Sequence, residues 1–179
     1  MAAPEAPARS SRRPLAWGAT AAVLLAGGVV AAALLTSGGS ARAPVAVVQP
    51  FRLPSVVAGG PDAVLSERPG RPVVLTFFAA WCEPCKKELP AVEALAARPG
   101  GPGVVGVDVL DQRPDARDLL AASRVTFPAG YDHDGAVGAR WGVNGLPVTV
   151  FIGSDGRIVH YHRGQLGTSE LDRLAASTR

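Results

Sequence analysis

The sequence predicts an α/β domain carried behind one N-terminal membrane-spanning helix, and three observations carry that expectation. First, Val73-Val74-Leu75-Thr76-Phe77-Phe78 is an apolar run, rich in β-branched and aromatic residues, of the kind a strand buried on both faces shows. Second, this run leads through Trp81-Cys82-Glu83-Pro84-Cys85 into Lys86-Lys87-Glu88-Leu89, residues of good helix propensity. A further apolar stretch at Val104–Leu110 completes a strand–helix–strand unit, which implies a right-handed crossover and a parallel strand pair. Third, the twenty residues from Trp17 to Thr36 contain no charge. At 1.5 Å per residue they would span about 30 Å, the hydrocarbon thickness of a bilayer.

Taken in order, residues 1–16 are Pro/Ala-rich and hold Arg9, Arg12 and Arg13, whereas only Arg42 closely follows the apolar stretch 17–36. The positive-inside bias puts the N-terminus in the cytoplasm and the rest of the chain outside. A cleaved signal peptide competes, because Ala41-Arg42-Ala43 mimics an A-x-A site and Ser11-Arg12-Arg13 hints at a twin-arginine signal. Pro44 directly after that site argues against cleavage, and the apolar run exceeds an ordinary signal h-region. A retained single-pass anchor is the favoured reading, and under either one the domain is extracytoplasmic. Residues 37–50, with Gly38-Gly39 and Pro44, read as a linker to a domain over 51–179. The chain has 179 residues and a formal net charge of +3, but from Pro44 onward 14 Lys/Arg balance 14 Asp/Glu. The basic excess is therefore N-terminal, no basic patch marks the domain, and nucleic acid is set aside as a partner.

Within the domain, Phe51–Val57 and Ala63–Leu65, split by Gly59-Gly60-Pro61-Asp62, predict a hairpin or paired strands leading the domain. The central strand is expected over Pro72–Phe78. The next helix carries Leu89, Val92, Leu95 and Ala96 at helical spacing, contains Pro90, and stops at Pro99-Gly100-Gly101. Asp115–Ser123 reads as a helix, Val125–Pro128 as the start of an extended piece, and Ala136–Trp141 as a short helix. Val148–Ile152 and Arg157–His162 predict a hairpin turning on Ser154-Asp155-Gly156. Ser169, with Asp172 three residues on, is expected to cap a final helix bearing Leu171 and Leu174.

The two cysteines carry the chemistry. Placed at a helix N-terminus and one turn inside it, Cys82 and Cys85 would sit roughly 5–6 Å apart, within the reach of a disulfide. Pro84 falls where a first-turn proline is tolerated. Cys82, at the exposed mouth, would see the positive end of the helix dipole, which favours thiolate; Cys85, further in, suits a resolving role. A zinc site needs more ligands at short spacing than two cysteines and the scattered His133, His160 and His162 provide. A structural disulfide over so small a loop adds little stability. A redox-active pair is the stronger reading, with no metal and no cofactor. A carboxylate such as Glu83 about 6 Å from the Cys82 sulfur would cost the thiolate roughly 0.7 kcal/mol at water-like dielectric. The helix terminus returns roughly 0.3–1 kcal/mol. The two nearly cancel, so Cys82 is not expected to be extremely acidic, which leans toward a reductant.

Phe78-Ala79-Ala80-Trp81-Cys82-Glu83-Pro84-Cys85 and Lys86-Lys87-Glu88-Leu89-Pro90, with Gly145-Leu146-Pro147 further on, resemble the thioredoxin superfamily over roughly residues 51–178. Within it they are most similar to the membrane-anchored TlpA, ResA and CcmG (DsbE) branch. The resemblance implies a thioredoxin-like fold, a central mixed β-sheet flanked by helices, with an added helix and strand between Asp111 and Gly142. It also implies a cis-proline at Pro147, where the backbone of Leu146 would pair with an extended substrate segment beside Cys82. Glu88 resembles the acidic residue of the ResA cavity and would relay protons to the pair. Trp81, Glu83 and Pro84 would meet the substrate. Thioredoxin's buried aspartate, six residues before the first cysteine, is Thr76 here, which shifts weight to Glu88. The implied activity is an extracytoplasmic thiol–disulfide oxidoreductase that reduces exported thiol proteins, apocytochrome c among them, and is recharged by a membrane electron donor of CcdA or DsbD type. The alternatives are a disulfide-forming oxidase and a non-catalytic copper or haem metallochaperone.

Overall fold

The computed structural model describes residues 48–178. The segment 1–16, the anchor expected over 17–36 and most of the linker 37–50 lie outside the described residues. Among the described residues no helix is long and apolar enough to cross a membrane.

Two short strands lead the domain, β1 (Phe51–Leu53) and β2 (Ala63–Leu65), paired antiparallel as a separate two-stranded sheet. The main sheet is built from β3 (Val73–Phe78), β4 (Gly103–Val109), β5 (Ala129–Asp132), β6 (Val148–Ile152) and β7 (Ile158–Arg163). Its strand order is β5-β4-β3-β6-β7. The β3–β4 and β4–β5 pairs are parallel, and the β3–β6 and β6–β7 pairs antiparallel. The sheet is therefore mixed, with β3 at its centre and all six of its residues buried. The helices are α1 (Glu83–Ala96), α2 (Arg113–Ala122), α3 (Ala136–Arg140) and α4 (Thr168–Ala176).

Strand alternation sorts the core into two layers. On one face Val74, Phe78, Val104 and Phe151 pack against Leu89, Val92 and Leu95 of α1, Leu119 and Leu120 of α2, and Leu171 and Leu174 of α4. On the other, Leu75, Phe77, Val107 and Val150 pack against the β1–β2 pair and against Val137 and Trp141. Val48, ahead of β1, is buried in that second layer.

Three expectations need correction. The strand expected to begin in Val125–Pro128 starts after it, at Ala129. Thr126 instead spends its N–H and hydroxyl on Glu93, at 2.7 and 2.6 Å. The true strand was hidden because Gly130 interrupts its apolar pattern. A Cβ at Gly130 would lie 2.5 Å from Leu53 Cβ and 2.8 Å from Ala63 Cβ, so the leading strands can cross β5 only where there is no side chain. The second correction is α2, which begins at Arg113 rather than Asp115, with Pro114 in its first turn. Third, α4 is not capped by Ser169: Gly167 is the N-cap and makes no side-chain hydrogen bond. Asp172 pairs instead with Arg98, at 2.8 Å.

Candidate active site

Strand β3 ends at Phe78, and Ala79–Trp81 turn the chain into α1. Within that turn the Cys82 N–H donates to the Ala79 carbonyl, at 3.1 Å. Cys82 is the N-cap of α1 and Pro84 lies in its first turn. The Cys82 Sγ accepts the Cys85 N–H at 3.2 Å. A capping serine would place its hydroxyl oxygen at this position, so a backbone donor and the helix terminus both favour negative charge on this sulfur. Cys82 and Cys85 are joined by a disulfide, with Cα atoms 5.3 Å apart. One expectation is corrected here: Cys82 does not stand at an exposed mouth, being only 4% exposed in the disulfide form against 1% for Cys85. The exposed group is Trp81, at 60%.

The electrostatics also differ from the sequence estimate. Glu83 is exposed and pairs with Lys86, Nζ to Oε1 at 2.5 Å. The Lys86 hydrogen bond, then its charge, hold the Glu83 carboxyl below its ordinary value. Because its charge is compensated locally, Glu83 opposes a Cys82 thiolate less than a lone carboxylate would.

Glu88 is the reverse case. One turn beyond Cys85, it is 2% exposed and faces inward. Thr149 Oγ1 on β6 donates to its Oε1 at 2.7 Å, and the Leu166 N–H, ahead of α4, donates to its Oε2 at 2.9 Å. Burial pushes the Glu88 carboxyl above its ordinary value, while the Leu166 and Thr149 donors pull it back. A carboxyl with this environment, i,i+3 from a cysteine on the same helix, keeps its proton to higher pH than an ordinary glutamate and is a correspondingly better base beside the dithiol. Thr76, where thioredoxin has its aspartate, is buried and pairs with Thr149 across the β3–β6 ladder.

Opposite the cysteine turn, the Leu146–Pro147 peptide bond is cis and Pro147 is buried. Trp81 and Leu146 face each other across a cleft of about 280 Å³, lined also by Leu110, Val143 and Gly145. A second, larger groove of about 580 Å³ lies on the other side of Trp81, bordered by Lys86, Leu110 and Asp115. The structure thus brings Trp81 and Leu146 to one cleft beside the cysteine turn, whereas Glu83 and Pro84 sit on the exposed first turn of α1 and line neither. His160 and His162 stack on β7, ring centroids 6.3 Å apart.

Several residues at the site escaped the sequence reading. Leu110 is 60% exposed, adopts φ 52°, and accepts a hydrogen bond from the Trp81 indole on its carbonyl, at 3.3 Å. A leucine at positive φ and open to solvent is uncommon, and here it flanks both grooves. Asp111 accepts the Ala80 N–H on Oδ2 and the Gln112 N–H on Oδ1, tying the loop after β4 to the cysteine turn. Asp108, on β4, is fully buried. A charge inside an otherwise apolar strand was the one signal in the sequence that pointed to it.

A family model described as Redoxin matches residues 40–176. Thiol-disulfide oxidoreductase ResA of Oceanobacillus iheyensis is 37% identical over 118 residues, covering 62% of this chain and 57% of that protein. Thiol:disulfide interchange protein HelX of Rhodobacter capsulatus is 31% identical over 132 residues, covering 71% of this chain and 74% of that protein. Among solved structures, MTB dsbF in its mixed oxidised and reduced forms aligns with a TM-score of 0.66 at 32% identity, over 72% of this chain and 95% of that one. With the DsbE homolog of Paracoccus denitrificans covered over 51% of its length, the chain spans little more than half of some of the curated relatives it matches.

Proposed function

The chain belongs to the Redoxin family, alongside ResA- and DsbE-type proteins of the thioredoxin superfamily, and on that footing we propose that it is an extracytoplasmic thiol–disulfide oxidoreductase working as a reductant. The observation that carries the exchange chemistry is the capping geometry of Cys82: its sulfur accepts a backbone N–H at the start of α1, within disulfide reach of Cys85. The reducing direction rests on the resemblance to ResA- and DsbE-type proteins. In the reduced protein the Cys82 thiolate attacks one sulfur of a client disulfide. A mixed disulfide forms and the client's second sulfur leaves as thiolate, taking a proton. Cys85, losing its proton to a base for which Glu88 is placed, then attacks Cys82 Sγ and expels the client's first sulfur. Two electrons pass to the client, which gains two thiols, and the protein is left with the Cys82–Cys85 disulfide.

The client segment lies extended against Leu146 and Pro147, its side chains in the cleft bounded by Trp81. Residues 17–36 hold the domain on the outer side of the membrane, where a membrane dithiol donor of the CcdA or DsbD type returns the protein to its reduced form. The relatives' names support an interchange activity, and apocytochrome c is the client we propose.

The test is a covalent trap. Cys85→Ser, expressed in the native cell, leaves Cys82 to form mixed disulfides that nothing resolves. Cytochrome c precursors held through Cys82 are the expected capture. Broad capture of secreted proteins would point to an oxidase instead, and bound copper with no thiol-linked protein to a metallochaperone.

A further inference from the structure

We propose that Asp108 is a positioning residue for the dithiol, a buried carboxylic acid that holds a proton behind the cysteine turn and acts on Cys82 through Asp111 and the Ala79–Ala80 backbone. This rests on the exchange reading above. Asp108 lies opposite Phe78 in the β3–β4 register, on the sheet face that packs against α1, and is 0% exposed. Among the described residues neither of its oxygens has a hydrogen-bond partner as an ionised acceptor. A carboxylate left so would bear the full cost of desolvation. A proton removes the conflict, because the neutral acid can donate to the neighbouring Asp111.

Asp111 is already committed as an acceptor, from Ala80 on one oxygen and Gln112 on the other. The residue before Ala80, Ala79, accepts the Cys82 N–H. A short chain of contacts therefore joins Asp108 to the attacking cysteine. The groups around it are few. Asp111 comes from the loop after β4, Arg113 from α2 and Asp132 from β5. Arg113 directs its guanidinium to the Ser55 and Val56 carbonyls and over the Tyr131 ring, 4.1 Å from its centroid. Asp132 accepts the Val137 and Gly138 N–H groups at the start of α3, at 3.1 and 2.8 Å. Tyr131, paired with Asp108 across the β4–β5 ladder, donates its hydroxyl to the Asp111 carbonyl and meets His133 Nδ1 at 3.1 Å. From the α1 side Phe78 and Ala79 bring no charge, and Glu88 is held by Thr149 and Leu166. Burial, then the Asp111 charge, push the Asp108 carboxyl up to about 8. Below that pH Asp111 stands behind the turn with a neutral neighbour. Above it a second negative charge appears and opposes thiolate at Cys82.

The experiment uses the full-length chain in two measurements: the reversible dithiol couple against dithiothreitol, and the rate of Cys82 alkylation by iodoacetamide from pH 5 to 10 in a Cys85→Ser background. Without Asp108→Asn, the alkylation profile should be broad, with two titrations and one of them near pH 8. Asp108→Asn, whose amide can donate to Asp111 but never ionises, should lose the step near pH 8 and keep the step of the thiol itself. The midpoint of that thiol step should fall by about half a pH unit, roughly threefold more thiolate at a given pH below it. Superimposable profiles from a folded Asp108→Asn chain overturn the proposal. Should that variant not fold, the infrared carbonyl band of a protonated carboxyl, recorded in the Glu88→Gln chain, decides instead. A band that titrates away near pH 8 supports the proposal, and its absence at pH 6 overturns it. Failure of the exchange reading would look different: the native chain would show no reversible couple with dithiothreitol at all.

Discussion

The two faces of the central sheet are made by the same strands, yet they differ in kind. The face covered by the β1–β2 pair and α3 is apolar along β3 and β4, with Val73, Leu75 and Phe77 beside Val105, Val107 and Val109, and its buried Asp132 on β5 is matched by the Val137 and Gly138 N–H groups. One residue out of step, the face under α1 holds Thr76 and Asp108 among its apolar groups, receives Thr149 from β6 and Glu88 from the helix, and lies beneath both cysteines. Burying a polar group lowers stability unless it finds a partner. The contrast therefore separates a face whose residues only stabilise the fold from one that gives up stability to surround the sulfurs with groups that carry protons.

The largest effect should come from damaging the apolar face. Phe77 is fully buried and packs on Trp141, ring centroids 6.1 Å apart. Phe77→Ala should cost about 3–5 kcal/mol in urea denaturation. The midpoint of the dithiol couple should stay where it was, and a large shift in it would show that the two faces are not separable.

A smaller effect should appear on the other face as a dependence of stability on pH. The folded Asp108 carboxyl keeps its proton up to about pH 8, whereas the unfolded one releases it near the ordinary value of 3.8. Between those limits the folded chain binds the extra proton. The stability linked to this group is thus full below about pH 4 and is lost as pH rises toward 8. Glu88, also raised, contributes with the same sign. Asp108→Asn should therefore be more stable than the native chain at pH 8, by about 1–3 kcal/mol, and indistinguishable from it near pH 4. Denaturation at the two pH values checks this, and an equal difference at both would remove Asp108 from the account.

The smallest effect on stability should come from the rim. Trp81 is largely exposed, so Trp81→Ala should change unfolding free energy by no more than about 0.5 kcal/mol. It should raise the KM for a disulfide-bonded client several-fold while leaving the reaction with dithiothreitol nearly unchanged. Equal losses with both substrates would place Trp81 in the chemistry rather than in client binding.

Much of this was legible before any coordinates. The run 73–78 reads as a doubly buried strand because all six residues suit that environment, and Cys82–Cys85 reads as a helix-terminal pair because proline and spacing are local signals. The cis bond at Pro147 was implied by resemblance and is present. What was not legible depends on neighbours distant in sequence. The Glu83 charge could be placed near Cys82, but its compensation by Lys86 depends on side-chain geometry. Strand β5 was misplaced because the requirement for glycine at position 130 is set by Leu53 and Ala63, far back in the chain.

The amino-acid order by itself determined the elements around the cysteines, their sequence along the chain and the placement of two sulfurs one helical turn apart, since periodicity, caps and turn residues act over a few positions. Only the folded structure decided how each carboxyl behaves. Glu88 draws its two donors from 61 and 78 residues away, and Asp108 meets carboxylates and no donor. The physical reason is that the proton affinity of a buried acid is set by the partners packed around it, and those partners are brought together by the fold rather than by their order in the chain.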